Sequence, residues 1–136
     1  VIGLDTNVLV RYVVQDDVKQ AALATELIET TLDDDSPGWI AAIVLCELVW
    51  VLEGPYDYAR SAIAATLQRV LEIARFRVEE PALAWRALDA YRSGADFADA
   101  MIALGNEQDG CAYTATFDRA ASKQKQMRLL GRLASA

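Results

Sequence analysis

Four carboxylates in this chain stand where a carboxylate needs a reason. Glu47 is the one charged residue in the apolar run from Trp39 to Leu52. Asp5 directly follows the apolar run Val1-Ile2-Gly3-Leu4, and Asp118 closely follows Cys111-Ala112-Tyr113-Thr114. Asp99 lies in Asp96-Phe97-Ala98-Asp99-Ala100, where the i and i+3 spacing puts Asp96 and Asp99 on one helix face. Taken singly, Asp5, Asp96 and Asp118 read best as helix caps or surface residues. Glu47 is either partly buried with its helix or on the helix's wet side, and this feature alone leaves both open. Gathered at one place, such carboxylates form a like-charge cluster that needs cations. Oxygen donors without His or Cys select hard ions, so Mg²⁺ or Mn²⁺ is the expected occupant and zinc is disfavoured. Mg²⁺ keeps several waters and commonly works on phosphates, which points to phosphoryl-transfer chemistry.

Composition removes the competing chemistries. The chain has no histidine, so no Ser-His-Asp triad, Cys-His dyad or His-ligated zinc can be built from it. Its two cysteines, Cys46 and Cys111, have no CxxC spacing; both read as small buried apolar residues in a reducing, cytoplasmic setting. An apolar content of 54% excludes intrinsic disorder. Val1 to Val10 lacks the basic and apolar regions of a signal peptide, and Trp39 to Leu52 is shorter than the roughly 20 residues a membrane-spanning helix needs. A soluble protein with no membrane association is expected.

The elements that must position these carboxylates follow from the apolar pattern. With 136 residues and no linker or repeat, a single domain over residues 1–136 is expected. Val1–Leu4 reads as a buried strand passing into a helix at Asp5-Thr6-Asn7. Val18–Leu32 is an amphipathic helix closed by Asp33-Asp34-Asp35-Ser36-Pro37-Gly38, whose acidic run is a solvated loop. Trp39–Ala41 is a brief strand, Ile43–Leu52 a helix stopped by Gly54-Pro55, and Asp57–Leu71 a further helix. Phe76–Val78 is a strand, Glu80–Tyr91 and Asp96–Glu107 are helices, and Cys111–Thr114 is a strand after the Asp109-Gly110 turn. Short apolar strands alternating with longer helices argue for a parallel sheet covered by helices, which binds ligands at the carboxyl ends of its strands.

Asp5-Thr6-Asn7-Val8-Leu9-Val10-Arg11-Tyr12, Glu47-Leu48-Val49-Trp50, Asp96-Phe97-Ala98-Asp99-Ala100 and Thr116-Phe117-Asp118 together resemble the PIN-domain nucleases. Among these the chain is most similar to VapC-type toxins of prokaryotic toxin–antitoxin pairs. The resemblance covers nearly the whole chain and implies a three-layer α/β/α sandwich with a central parallel sheet. It also implies a metal-dependent ribonuclease that uses one or two Mg²⁺ or Mn²⁺ ions. Asp5, Glu47, Asp99 and Asp118 match the family's acidic quartet, as catalytic and metal-holding residues. Thr6, Asn7, Asp96 and Thr116 match supporting positions; Asp96 either holds metal-bound water or caps its helix, and Asp118 either touches metal or acts through water. The implied products carry a 5′-phosphate and a 3′-hydroxyl. The implied partners are an RNA substrate, a VapB-type antitoxin and a second copy in a homodimer.

A net charge of −7 sits awkwardly with an RNA substrate, because affinity for a phosphate backbone comes largely from Lys and Arg. The cations are unevenly spread. Arg119, Lys123, Lys125, Arg128 and Arg132 follow Asp118 with no acidic residue among them, Arg69, Arg75 and Arg77 form a second cluster, and Arg11 lies nearer the first carboxylate. Solvated surface is the better reading of any one of them, so RNA-binding residues stay unassigned. Trp50 is assigned to the core; exposed with Tyr56 and Tyr58, it would instead belong to a partner surface. The rival functions are a housekeeping PIN nuclease, a catalytically silent PIN-like scaffold, an Mg²⁺-dependent phosphatase and a receiver-like signalling domain. The phosphatase would need a DxD motif where this chain has Asp5-Thr6-Asn7, and the receiver a well-placed Lys, which occurs here only at 19, 123 and 125.

Overall fold

A computed structural model describes residues 1–131 and resolves them into two compact units, Val1–Pro81 and the residues from Ala82 onward. Arg132, one of the basic residues noted above, lies outside the described residues. In the first unit β1 (Ile2–Gly3), β2 (Gly38–Ile40) and β3 (Phe76–Val78) form a parallel sheet in the order β1-β2-β3, with Ile2 opposite Gly38 and Gly38 opposite Phe76. Parallel neighbours need crossover connections, and helices supply them. Between β1 and β2 run α1 (Thr6–Val14) and α2 (Val18–Glu26), and between β2 and β3 run α3 (Ala42–Glu53) and α4 (Arg60–Glu72).

The first crossover turns at Gln15, whose left-handed backbone (φ 61) ends α1, and restarts at Asp17, whose carboxylate accepts the Gln20 N–H. The helix expected over Val18–Leu32 is present as α2 followed by a wider turn through Leu27–Thr31, closed by Leu32 N–H donating to the Leu27 carbonyl. Asp33 to Asp35 are exposed, and Asp33 Oδ1 accepts the N–H groups of Asp35 and Ser36, which makes this acidic run a self-closing turn. The helix expected to begin at Asp57 begins at Arg60. Tyr58 N–H folds back to the Leu52 carbonyl and Asp57 takes a positive φ of 51, so the intervening residues close α3 before α4 can start. The core of this unit is built from Leu4, Leu9, Ile28, Leu32, Ile40, Leu45, Leu48, Leu52, Ile63 and Leu67, all at or below 4% exposure.

The second unit holds α5 (Pro81–Arg92), α6 (Phe97–Gln108), and a parallel pair of strands, β4 (Thr114–Thr116) and β5 (Met127–Leu129), joined through a short turn at Ala121–Lys123. Tyr91 and Phe97 meet edge to face, with ring centroids 6.4 Å apart, and Ala103, Ala121 and Met127 pack together beneath the strands. The strand expected over Cys111–Thr114 starts only at Thr114. Cys111 N–H donates to the Asn106 carbonyl and Gly110 takes a φ of 95, so these residues terminate α6 instead of pairing.

Two further expectations are corrected. Trp50 is 54% exposed, because α3 turns Leu45, Leu48, Val49 and Leu52 inward and Trp50 falls on the opposite side. Cys46 is half-buried and Cys111 exposed, so neither is the buried apolar residue expected; neither forms a disulfide. Among the described residues no helix is long and apolar enough to cross a membrane.

Candidate active site

The first unit positions Asp5, Thr6 and Glu47. Asp5 ends the stretch after β1 in an extended conformation and caps α1, its Oδ1 accepting the Thr6 N–H at 2.8 Å. Thr6 is 7% exposed, and its Oγ1 donates to Glu47 Oε1 at 2.8 Å. One residue therefore fixes two carboxylates, Asp5 by its backbone and Glu47 by its hydroxyl. Glu47 itself is on the wet side of α3, the second of the two readings that the apolar run left open. Asn7, beside Thr6, is exposed.

The second unit positions Asp96, Asp99, Thr116 and Asp118. Asp96 caps α6, its Oδ1 accepting the Asp99 N–H at 2.9 Å. Asp99 thus sits in the first turn of α6, half-buried. Partial burial raises its pKa above the ordinary carboxylate value, and the negative charges of Asp96 and then Asp118 push it the same way. Asp118 lies two residues past β4. Its N–H donates to Thr116 Oγ1 at 3.0 Å, and its Oδ1 accepts the N–H groups of Ala120 at 2.8 Å and Ala121 at 3.1 Å. These two bonds are the capping reading that the sequence offered for Asp118, an Asp directly before a short turn.

Among the described residues no three Asp, Glu or Cys side chains are gathered as a ready-made cage for a metal ion. The structure brings Thr6 to Glu47 and Asp5 in one unit, and brings Asp99 within the electrostatic reach of Asp96 and Asp118 in the other. A divalent cation fits the second set on two grounds. Its donors are carboxylate oxygens, which suit hard divalent ions, and the negative charges of Asp96 and Asp118 that Asp99 feels, besides its partial burial, are what a cation would offset. Several of the cations in the basic clusters are engaged within the fold. Arg11 donates to Tyr56 OH, Asp16 and Gln20, Arg69 to Thr66, Arg75 to the Ile28 carbonyl, and Arg77 to the carbonyls of Ala74 and Phe76.

The family model described as PIN domain matches residues 2–126 of the chain. Comparison with curated proteins and with solved structures found no match.

Proposed function

Because the chain belongs to the PIN domain family, whose fold is the three-layer α/β/α kind and whose members are generally metal-dependent nucleases, we propose that it is an endoribonuclease, the toxin of a VapBC-type pair. The observation that carries this reading is that Asp99, in the first turn of α6, lies within electrostatic reach of Asp96 and Asp118, with Asp96 capping that helix and Asp118 tied to the amides of Ala120 and Ala121. The match spans both compact units, which supports residues 1–136 as a single PIN domain. In this reading Asp5, Glu47, Asp99 and Asp118, the matches to the family's acidic quartet, are the catalytic and metal-holding residues, with one or two Mg²⁺ or Mn²⁺ ions as the cofactor. When bound, the ions supply the positive charge that activates and orients an attacking water and offsets charge on the leaving oxygen. Asp118 is held rigid by Thr116, Ala120 and Ala121, and Glu47 by Thr6, so both present their free oxygens in fixed directions. Asp96 serves as the cap that orients the first turn of α6 beneath Asp99.

The proposed partners are an RNA substrate, a VapB-type antitoxin and a second copy of the chain, in the cytoplasm. Cleavage of a mixed structured RNA by antitoxin-free protein tests the activity. The expected result is cleavage in Mg²⁺ or Mn²⁺ that EDTA abolishes and that Asp99→Asn lowers by at least about a hundredfold, while circular dichroism shows the variant folded. Equal cleavage by Asp99→Asn would sink the assignment. Growth arrest on expressing the wild-type chain alone, relieved by a co-expressed antitoxin, is the expected result for the toxin role; harmless expression together with robust cleavage points to a housekeeping nuclease.

A further inference from the structure

A cleft of about 690 Å³ opens in the second unit, and its lining includes Arg86, Lys123, Gln124, Lys125 and Gln126, with Asp89 as its one carboxylate. Ala120, whose N–H holds the Asp118 carboxylate, also lines it. The cleft therefore begins two residues along the chain from a proposed catalytic group. Building on the nuclease reading, we propose that this cleft binds the phosphodiester backbone of the substrate strand and leads it toward Asp118.

Charge makes the first argument. A chain of net charge −7 repels a polyanion, so a strand can approach only where cations are locally concentrated. Between Arg119 and Gly131 the chain carries Arg119, Lys123, Lys125 and Arg128 and no acidic residue. Availability makes the second. Arg86 shares its charge with Glu107 at 3.2 Å and Arg128 lies over the Tyr113 ring, whereas Lys123 and Lys125 are exposed and have no carboxylate partner among the described residues. The third is a hydrogen-bond deficit. The side-chain amide nitrogen of Gln124 is buried and meets no acceptor among the described residues. A buried donor in that state is unfavourable, and an anionic oxygen entering the cleft is the acceptor it lacks. Ammonium charges and an amide donor suit phosphate oxygens and carry no base information, so the cleft positions the strand without choosing its sequence.

The test reads binding without cleavage. A single-stranded RNA of about 16 nucleotides, at the upper end of single-strand site sizes, is titrated into the full chain carrying Asp99→Asn with a chelator present. The logarithm of affinity is followed against the logarithm of salt concentration, then repeated with Lys123→Ala and Lys125→Ala added together, and separately with Lys19→Ala. Each lost phosphate contact on a single strand lowers the slope by about 0.7, so the double variant should lose about 0.7 per lysine for RNAs of any sequence. The Lys19→Ala control should keep the full slope, and melting curves should show all versions folded. A slope unchanged in the double variant overturns the proposal. So does loss of polyglutamate binding in that variant with RNA binding intact, which would make the cleft a site for an acidic peptide. Failure of the wild-type chain to cleave RNA would count against the nuclease reading and leave this binding result standing.

Discussion

Thr6 shows how much of the candidate site's geometry rests on one small side chain. Its N–H holds Asp5, its hydroxyl holds Glu47, and it is buried, so it acts as a positioning residue for two carboxylates from inside the fold. Thr6→Val keeps the shape and removes the donor. Outer-shell partners of this kind typically change activity or metal affinity by about 10- to 100-fold, and a loss in that range is expected here, with Thr6→Ser restoring most of it. Metal titration by calorimetry on each variant, beside the cleavage rate, checks both halves of that expectation. Asp99 carries a pH signature as well. Its folded pKa lies above its ordinary value of 3.8, so the folded chain holds this proton more tightly than the unfolded one. Its contribution to stability is then greatest at low pH and declines as pH rises from the unfolded value through the folded one. Metal-free Asp99→Asn should therefore melt at a higher temperature than the wild type at neutral pH, with the difference shrinking below the unfolded pKa; thermal melts in a chelator across that range measure it. Asp5, Asp96 and Asp118 were legible as caps because capping is a local pattern. Which side of its helix Glu47 occupies was not, because a 14-residue apolar run shows no polar face to orient it.

At the scale of elements, the sheet of the first unit depends on close approach at Gly38. A Cβ there would stand 2.8 Å from Leu32 Cδ1, 3.0 Å from Leu4 Cδ1 and 3.3 Å from Phe76 Cδ1, all on side chains that are themselves buried. Gly38→Ala should destabilise the protein by about 1–3 kcal/mol in urea unfolding, the usual cost of adding a methyl group to a full core. The strand β3 is found at Phe76–Val78, the residues its apolar pattern indicated, and α3 contains the expected Ile43–Leu52. Those segments carry their own signal in type and periodicity. The start of α4 and the position of β4 were misread, since in both cases the residues preceding the element are taken up in closing the helix before it. β5 carried no sequence signal that set it apart. It exists as a partner for β4, with Thr114 opposite Met127, and pairing across that distance is not written in either segment alone.

For the molecule as a whole, cation binding should be visible as stability. A ligand that binds only the folded chain stabilises it by about 2.7 kcal/mol when present at 100 times its Kd, which corresponds to a rise of several degrees in Tm. Mg²⁺ or Mn²⁺ should raise the wild-type Tm in this way and EDTA reverse it, with Asp99→Asn and Asp5→Asn showing a much smaller rise in differential scanning fluorimetry. An equal rise in the variants would place the ion elsewhere. The sequence by itself determined the family and the order of the elements from β1 to β4, because residue type, spacing and apolar periodicity are properties of the chain. Tertiary structure alone decided that Thr6 reaches Glu47 across 41 residues, that Arg11, Arg75 and Arg77 are consumed by hydrogen bonds within the fold, and that Lys123 and Lys125 line an open cleft. Hydrogen bonds and burial between segments distant in the chain depend on how the elements pack, and no local pattern encodes which cation or carboxylate that packing leaves free.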